Sequence, residues 1–145
     1  MADFSLDEVQ VIVHKLRTGV LLRANLRGAN LRNADLSGAS LCGALLYKAN
    51  LSATNLGDAD LQFANLAEAD LSGASLCGAL LYKANLSGAK LVGTNLRGTI
   101  LYKANLIGSD LTAAFLKGAK YSAKTKWPDR FDPEAAGAEL VKDED

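Results

Sequence analysis

The chain has 145 residues, with 16 Lys and Arg against 16 Asp and Glu, so its formal net charge is zero. That length suits a single domain, and the balanced charge argues against binding nucleic acid through a strongly basic surface. The charge is unevenly placed: residues 20–123 carry ten basic and six acidic side chains, whereas residues 124–145 carry four and seven. Charged or polar residues interrupt every apolar run well short of a membrane-spanning length, so no contact with a membrane is expected.

The first predicted element is a helix over residues 5–17. Ser5 and Glu8 have the spacing of a capping box, in which each side chain bonds a backbone N–H at the helix start. We expect residues 1–19 to form a helical cap on the repeat array that begins at residue 20. The uncovered end of a repeat solenoid would expose its apolar core and its strand edges. A helix that binds a partner protein is the alternative. His14 is the single histidine and has no neighbouring ligands for a metal site. Apolar residues recur at helical spacing along the segment: Leu6, Val9, Ile12, Val13 and Leu16.

From residue 20 to about residue 123 a leucine returns at every fifth position, from Leu21 to Leu116, and Tyr121 takes the next position. A small residue stands two places before each leucine, and Asn or Asp often stands directly before it, as in Ala24-Asn25-Leu26. A step of five spreads side chains around an α-helix and alternates between the faces of a flat strand, so neither element buries all the leucines. A chain that turns once per pentad does bury them. The leucine and the small residue then point inward, the residue between them points outward, and the next two form a corner. This pattern predicts an all-β solenoid with a continuous leucine core.

The pentads at residues 24–28, 34–38 and 104–108 read A-(N/D)-L-X-X, and this array resembles the pentapeptide repeat family. The run WPDRFDPEAAGA from Trp127 is also similar to the C-terminal ends of small cyanobacterial members. The resemblance implies a right-handed quadrilateral β-helix with four pentads per coil. Twenty pentads then give about five coils at the ordinary strand spacing.

The pentad pattern ends at Tyr121. We expect Trp127 and Phe131 to cover the last leucine layer with their large apolar rings. Asp132 and Pro133 have the character of a helix start, which predicts a short helix reaching about Val141. The expected organisation is a helical cap over 1–19, a β-helix over 20–123, and a C-terminal cap with an acidic tail over 124–145, all within one structural domain.

Cys42 and Cys77 lie seven pentads apart, which places them on adjacent sides of a four-sided coil. Their axial separation of about 8 Å exceeds the reach of a disulfide. Both follow a leucine in an outward position, so surface thiols in a reducing compartment are expected, with redox or metal roles as the alternatives.

Asp3, Asp7 and Glu8 occupy a region where a secretory signal needs basic residues. The expected location is therefore the cytoplasm.

The sequence contains no arrangement of side chains that indicates catalysis, a bound metal or a cofactor. The Asn and Asp residues before the leucines are interpreted as partners of the local backbone, rather than as acid/base pairs or a calcium ladder. The glycines occur one per turn and do not form a phosphate-binding loop. We therefore predict a protein that is not an enzyme and that carries no cofactor.

One side of the predicted coil carries an apolar block on two consecutive coils. Exposed aromatic and aliphatic side chains that cluster on a flat side favour a protein interface, although scattered exposed apolar residues are normal. The candidate patch consists of an apolar two-by-two block with two basic neighbours: Leu80, Tyr82, Ile100, Tyr102, Lys83 and Lys103.

The predicted function is that of a binding or scaffold protein whose flat β-helix faces contact a protein partner or a second copy. The family resemblance implies an alternative, because some pentapeptide repeat proteins modulate DNA gyrase by mimicking DNA with a long acidic rod and a C-terminal dimer. The net positive coils, the short array and the cap-like C-terminus all depart from that pattern. Direct binding of nucleic acid is not expected, because the basic residues of the coils are spread over different sides.

Overall fold

The computed structural model of the chain describes residues 2–3, 8, 10–12, 14–15 and 23–142. Its repeating unit is a parallel bridge between residues twenty positions apart, such as Asn25 with Leu45 and Asn65 with Asn85. Backbone bonds run in both directions along the stack: the Leu66 N–H donates to the Asn85 carbonyl at 2.7 Å, and the Asn65 N–H donates to the Ala44 carbonyl at 2.9 Å. Four pentads therefore complete one coil, and each coil satisfies the polar backbone groups of its neighbours.

Leucines and small residues fill the interior, as the pentad pattern predicts. Leu66 and Ala64 are at most 1% exposed, and the same holds along the middle coils. Where a threonine replaces the small residue it is also buried, and its hydroxyl donates to a backbone carbonyl. The Thr94 hydroxyl donates to the Leu71 carbonyl at 2.7 Å. This hydrogen bond offsets the free-energy cost of removing the hydroxyl from water.

The two residues after each leucine form the corner, and the second of them adopts a positive φ. In the turn that follows Leu26, the Ala29 N–H donates to the Leu26 carbonyl at 3.1 Å and Gly28 has a φ of 65°. A positive φ at the third residue of such a turn is the signature of type II geometry, which explains the frequent glycine. Phe63 occupies this position with a φ of 61°, so its side chain projects from a corner.

The outward Asn and Asp residues bond the local backbone, as interpreted from the sequence. The Asn65 side-chain oxygen accepts the Ala67 N–H at 3.1 Å. Asp110 accepts both the N–H of Thr112 at 3.0 Å and its hydroxyl at 2.6 Å. The hydroxyl and the N–H of Thr112 together lower the pKa of the Asp110 carboxyl. These side chains stabilise the turns and are not free ligands for a cation.

The strand pairs longer than a single bridge lie toward the two ends of the described chain. Strand β1 (Ala2–Asp3) pairs in parallel with β2 (Ala29–Asn30), and β3 (Lys120–Tyr121) pairs in parallel with β4 (Glu139–Leu140).

Residues 8, 10–12, 14 and 15 are α-helical, and the predicted helix bounds at residues 5 and 17 lie outside the described residues. Ile12 is half-buried against the leucine core, while Val11 and His14 are exposed. Across the part of the chain that the structure describes, no helix has the length and apolar character needed to span a membrane.

The helix predicted from Asp132 to about Val141 is wrong. Residues 133–137 form turns, and β4 begins at Glu139 after Ala138. Gly137 takes a φ of 93°, and the Glu139 N–H donates to the Ala119 carbonyl at 2.7 Å. Pairing with the preceding coil therefore satisfies this backbone, and a helix of so few residues has little intrinsic stability to compete with it.

Aromatic rings cover the interior before β4. The Trp127 ring stacks on Phe131 at 5.3 Å between centroids and meets Tyr121 edge-on at 5.4 Å. Both Trp127 and Phe131 are partly buried against the leucine core.

Candidate interaction face

The candidate patch lies on one side of the coil, which we call the tyrosine face and define as residues 40–43, 60–63, 80–83 and 100–103. Leu80 bridges Asp60 in the preceding coil and Ile100 in the following one. Leu81 and Leu101 are fully buried, so the residues on either side of them in the chain point outward. Leu80 is 37% exposed.

The other three apolar members of the candidate patch are half-buried: Tyr82, Ile100 and Tyr102. The fold thus brings the two pairs together on consecutive coils.

Phe63 extends the patch and was missed from the sequence. It is 53% exposed, and its ring meets that of Tyr82 edge-on at 5.5 Å and 87°. Among the described rings, Tyr82 meets Phe63 and does not stack on Tyr102. Phe63 and Lys83 occupy corner positions twenty residues apart. Comparing corner positions at this spacing, and not only positions beside the leucines, would have identified Phe63 as a neighbour of the patch. We call the resulting set the extended patch: Phe63, Leu80, Tyr82, Ile100 and Tyr102.

Two lysines border the extended patch at its corner. The Lys83 and Lys103 Nζ atoms lie 5.6 and 5.8 Å from the centroid of the Tyr82 ring. Both distances are within the range of a cation–π interaction, which holds the ammonium groups beside the apolar side chains. Both lysines of the candidate patch therefore lie beside the Tyr82 ring.

An internal duplication provides a natural comparison for Tyr82. Residues 34–52 and 69–87 have identical sequences, yet thirty-five residues is not a whole number of coils. Tyr47, the counterpart of Tyr82, therefore lies on a different side. Its hydroxyl donates to a Glu68 carboxylate oxygen at 2.7 Å, and this hydrogen bond raises the pKa of Tyr47. The same local sequence thus forms a polar contact on one side and joins an apolar cluster on the other.

Further exposed apolar residues of the coils lie apart from the extended patch. Val92, Ile107 and Phe115 are 38%, 51% and 48% exposed, and each belongs to a different side. Phe115 is covered in part by Arg97, whose guanidinium carbon lies 4.5 Å from the ring centroid.

The potential metal and redox ligands are dispersed. Cys42 is half-buried on the tyrosine face and Cys77 is exposed on a neighbouring side, and both are free thiols. In the described ranges, no group of three His, Cys, Asp or Glu side chains is arranged to hold a metal ion.

The family model described as pentapeptide repeats matches the chain with eight copies, over residues 24–62, 44–81, 59–98 and 79–118. A comparison with curated proteins gives no match. Among solved structures, the pentapeptide repeat protein alr5209 from Nostoc PCC 7120 is 32% identical, with 94% of this chain and 96% of that chain covered and a TM-score of 0.66. Rfr23 from the cyanobacterium Cyanothece 51142 is also 32% identical, with 81% and 98% covered and a TM-score of 0.66.

Two further solved structures are less similar to this chain. A pentapeptide repeat protein from the thylakoid lumen of Arabidopsis thaliana is 31% identical, with 74% of this chain and 61% of that chain covered and a TM-score of 0.53. QnrB1, a plasmid-mediated fluoroquinolone resistance protein, is 18% identical with a TM-score of 0.55, which shows a shared fold alone.

The repeat match and the cyanobacterial structures agree with the coils described above. They imply a right-handed quadrilateral β-helix, as the resemblance to the pentapeptide repeat family implied. The eight matched copies together reach from residue 24 to residue 118, which is most of the bridged region. The chain is a member of the pentapeptide repeat family.

Proposed function

We propose that the protein is a non-enzymatic binding or scaffold protein that contacts a protein partner through the extended patch. The observation that carries this proposal is the clustering of five apolar side chains over three consecutive coils, four of them on one flat side and Phe63 at its corner. Tyr82 and Tyr102 are suited to anchor such a contact, because aromatic rings bury a large area while few rotatable bonds are fixed. The patch is too small for a large obligate interface, so a modest and separable contact is proposed.

The proposal includes the organisation of the chain around this face. We infer a helical cap over 1–19, about five coils over 20–123, and a C-terminal cap with an acidic tail over 124–145. The half-buried Ile12 supports the first cap, and the contacts of Trp127 and Phe131 with the core support the second. We propose a cytoplasmic location because both cysteines are free thiols, and free thiols persist in reducing compartments. Fractionation of the native host with an antibody to the protein tests that location.

Modulation of DNA gyrase by DNA mimicry is the alternative, and it needs an acidic surface. The tyrosine face instead carries Lys83 and Lys103, and Lys120 continues it in the next coil. A supercoiling assay with added protein separates the two functions: the binding proposal expects no effect on gyrase, and dose-dependent protection or inhibition supports the alternative.

Replacing both tyrosines, Tyr82→Ser with Tyr102→Ser, is expected to abolish partner capture while leaving the free energy of unfolding nearly unchanged. Both side chains point outward and none of the inward leucines is altered. The measurement is a pull-down from the native host combined with chemical denaturation. The control variant is Tyr47→Ser with Ile107→Ser, which removes equivalent outward groups from another side of the coil.

The proposal is supported if the control variant still captures the partner and the variant with Tyr82→Ser and Tyr102→Ser does not. If the tyrosine variant folds and captures the same proteins at unchanged strength, the extended patch is not the binding site. Loss of capture by the control alone would place the function on the side of Tyr47.

A further inference from the structure

We propose that the extended patch binds a protein segment in which apolar side chains are flanked by carboxylates. This inference rests on the proposed function and specifies the chemistry of its partner. It follows from the distribution of charge around the apolar side chains.

Basic groups border the extended patch along its corner and toward the C-terminal coils. Lys83 and Lys103 lie beside the Tyr82 ring, as described above. Lys120 is exposed and bridges Ile100 directly, so it continues the same column by one coil. Two ammonium groups thus lie beside the apolar side chains, and a third basic residue lies one coil away on the same column.

A fourth basic group lies near the other end of the same corner. A Cβ atom added to Gly43 would come within 3.0 Å of the Arg23 Cγ, which shows that the arginine side chain runs over this corner. Gly43 immediately precedes Phe63 in the corner column, because the two are twenty residues apart. The corner therefore presents a basic group on either side of the Phe63 ring.

The acidic groups near this face are fewer: Asp60 bridges Leu80 from the preceding coil, and Asp58 lies at the opposite corner of the same side, against Gly78. One Asp60 carboxylate oxygen accepts the Gln62 N–H and the Gln62 side-chain amide, both at 3.1 Å. Glu139 pairs with Lys120 one coil beyond it. The margin of the patch is therefore net positive, which complements carboxylates on a partner.

A second copy of this chain is a poorer occupant than an acidic segment. In a symmetric dimer the same surface meets itself, so the net positive margins of both copies would be brought into one interface. Like charges facing each other across an interface oppose association. An acidic partner instead forms ion pairs with the same groups.

Single-stranded nucleic acid is also a poorer occupant, because it requires open aromatic faces on which bases stack. The Tyr82 ring already has two ammonium groups near it and the Phe63 ring against it. Leu80 and Ile100 add aliphatic surface, which suits apolar side chains better than bases. These contacts favour a peptide.

The test measures fluorescence anisotropy of short labelled synthetic peptides with the full-length protein. The probe has a Leu-Phe-Leu centre between Asp and Glu residues. Two comparison peptides vary one property each: one has serine flanks with the same centre, and the other has acidic flanks with a serine centre. A short oligothymidine is the comparison for nucleic acid. Titrations are repeated at low and high salt, because exposed ion pairs weaken as salt rises.

We expect the acidic apolar peptide to bind, and both altered peptides to bind roughly fivefold to tenfold more weakly. Lys83→Gln with Lys103→Gln is expected to remove most of the preference for acidic flanks. The matched control Lys48→Gln, on the side of Tyr47, is expected to retain it. The Tyr82→Ser with Tyr102→Ser variant is expected to lose binding altogether.

Equal binding of the peptides with acidic and serine flanks would overturn the inference, as would absence of binding to either or tighter binding of the oligothymidine. A lysine variant that keeps the full preference for acidic flanks would also overturn it. The proposed function is tested separately by pull-down: capture that depends on the tyrosines and not on Lys83 and Lys103 would leave that function standing without this partner chemistry.

Discussion

Leu66→Ala is expected to lower the free energy of unfolding by about 2–5 kcal/mol, the range typical of a leucine removed from a packed core. Leu66 is fully buried in a middle coil, and its neighbouring coils hold leucines at the same place. The coils are tied together through their backbones, so the surrounding side chains have little freedom to fill the space left by the leucine. Chemical denaturation followed by circular dichroism measures the loss.

The matched control is Asn65→Ser, one residue earlier and pointing outward. A serine hydroxyl can still accept the Ala67 N–H that Asn65 now accepts, so the expected loss is less than about 1 kcal/mol. Equal losses for the two variants would contradict the assignment of inward and outward positions on which the description of the tyrosine face depends.

Deletion of residues 126–145 is expected to make the protein form assemblies whose size grows with protein concentration. The deletion removes the Trp127 and Phe131 rings from the core and removes β4 from the edge of β3. It also leaves the Leu106 N–H without the Lys126 carbonyl that it bonds at 2.7 Å. Exposed leucines next to unpaired strand edges favour stacking of one molecule on another. Light scattering over a concentration series measures the association.

The control removes residues 143–145 alone and leaves every contact named above in place. The coils of the longer deletion are expected to keep their circular dichroism signal in the soluble fraction, because each remaining coil still pairs with its neighbours. The same association is expected when residues 1–18 are removed. A deletion of 126–145 that stays monomeric at high concentration would show that this segment covers no adhesive surface.

The fold could be predicted from the sequence because the leucine period is incompatible with a helix and with a flat strand. Leu66 and Thr94 were placed correctly inside from spacing alone, since burial in a solenoid repeats with every pentad. The segment after Tyr121 lacks that repeat. There the local signals of Asp132 and Pro133 favoured a helix, and the tertiary pairing of Glu139 with β3 determined the outcome instead.

The candidate patch was predicted only in part, for a related reason. Twenty-residue spacing places Tyr82 and Tyr102 on one column, and this registration is present. The spacing gives no information on which way a ring turns, so the contact between Tyr82 and Phe63 was not foreseen. Phe63 stands at a corner position with positive φ, where glycine or a polar residue is usual in this chain.

Photo-crosslinking from each side of the coil tests most directly whether the tyrosine face is the binding face. A benzophenone amino acid is placed singly at Gln62 on that face, beside the extended patch, and at Val92, Ile107 and Phe115 on the other three sides. All four positions are outward, so each variant is expected to fold and to differ only in where the reactive group points. After irradiation in the native host, partner adducts are expected from position 62 and not from the other three. Adducts that form equally from all four sides, or mainly from 92, 107 or 115, would contradict the assignment of function to the tyrosine face.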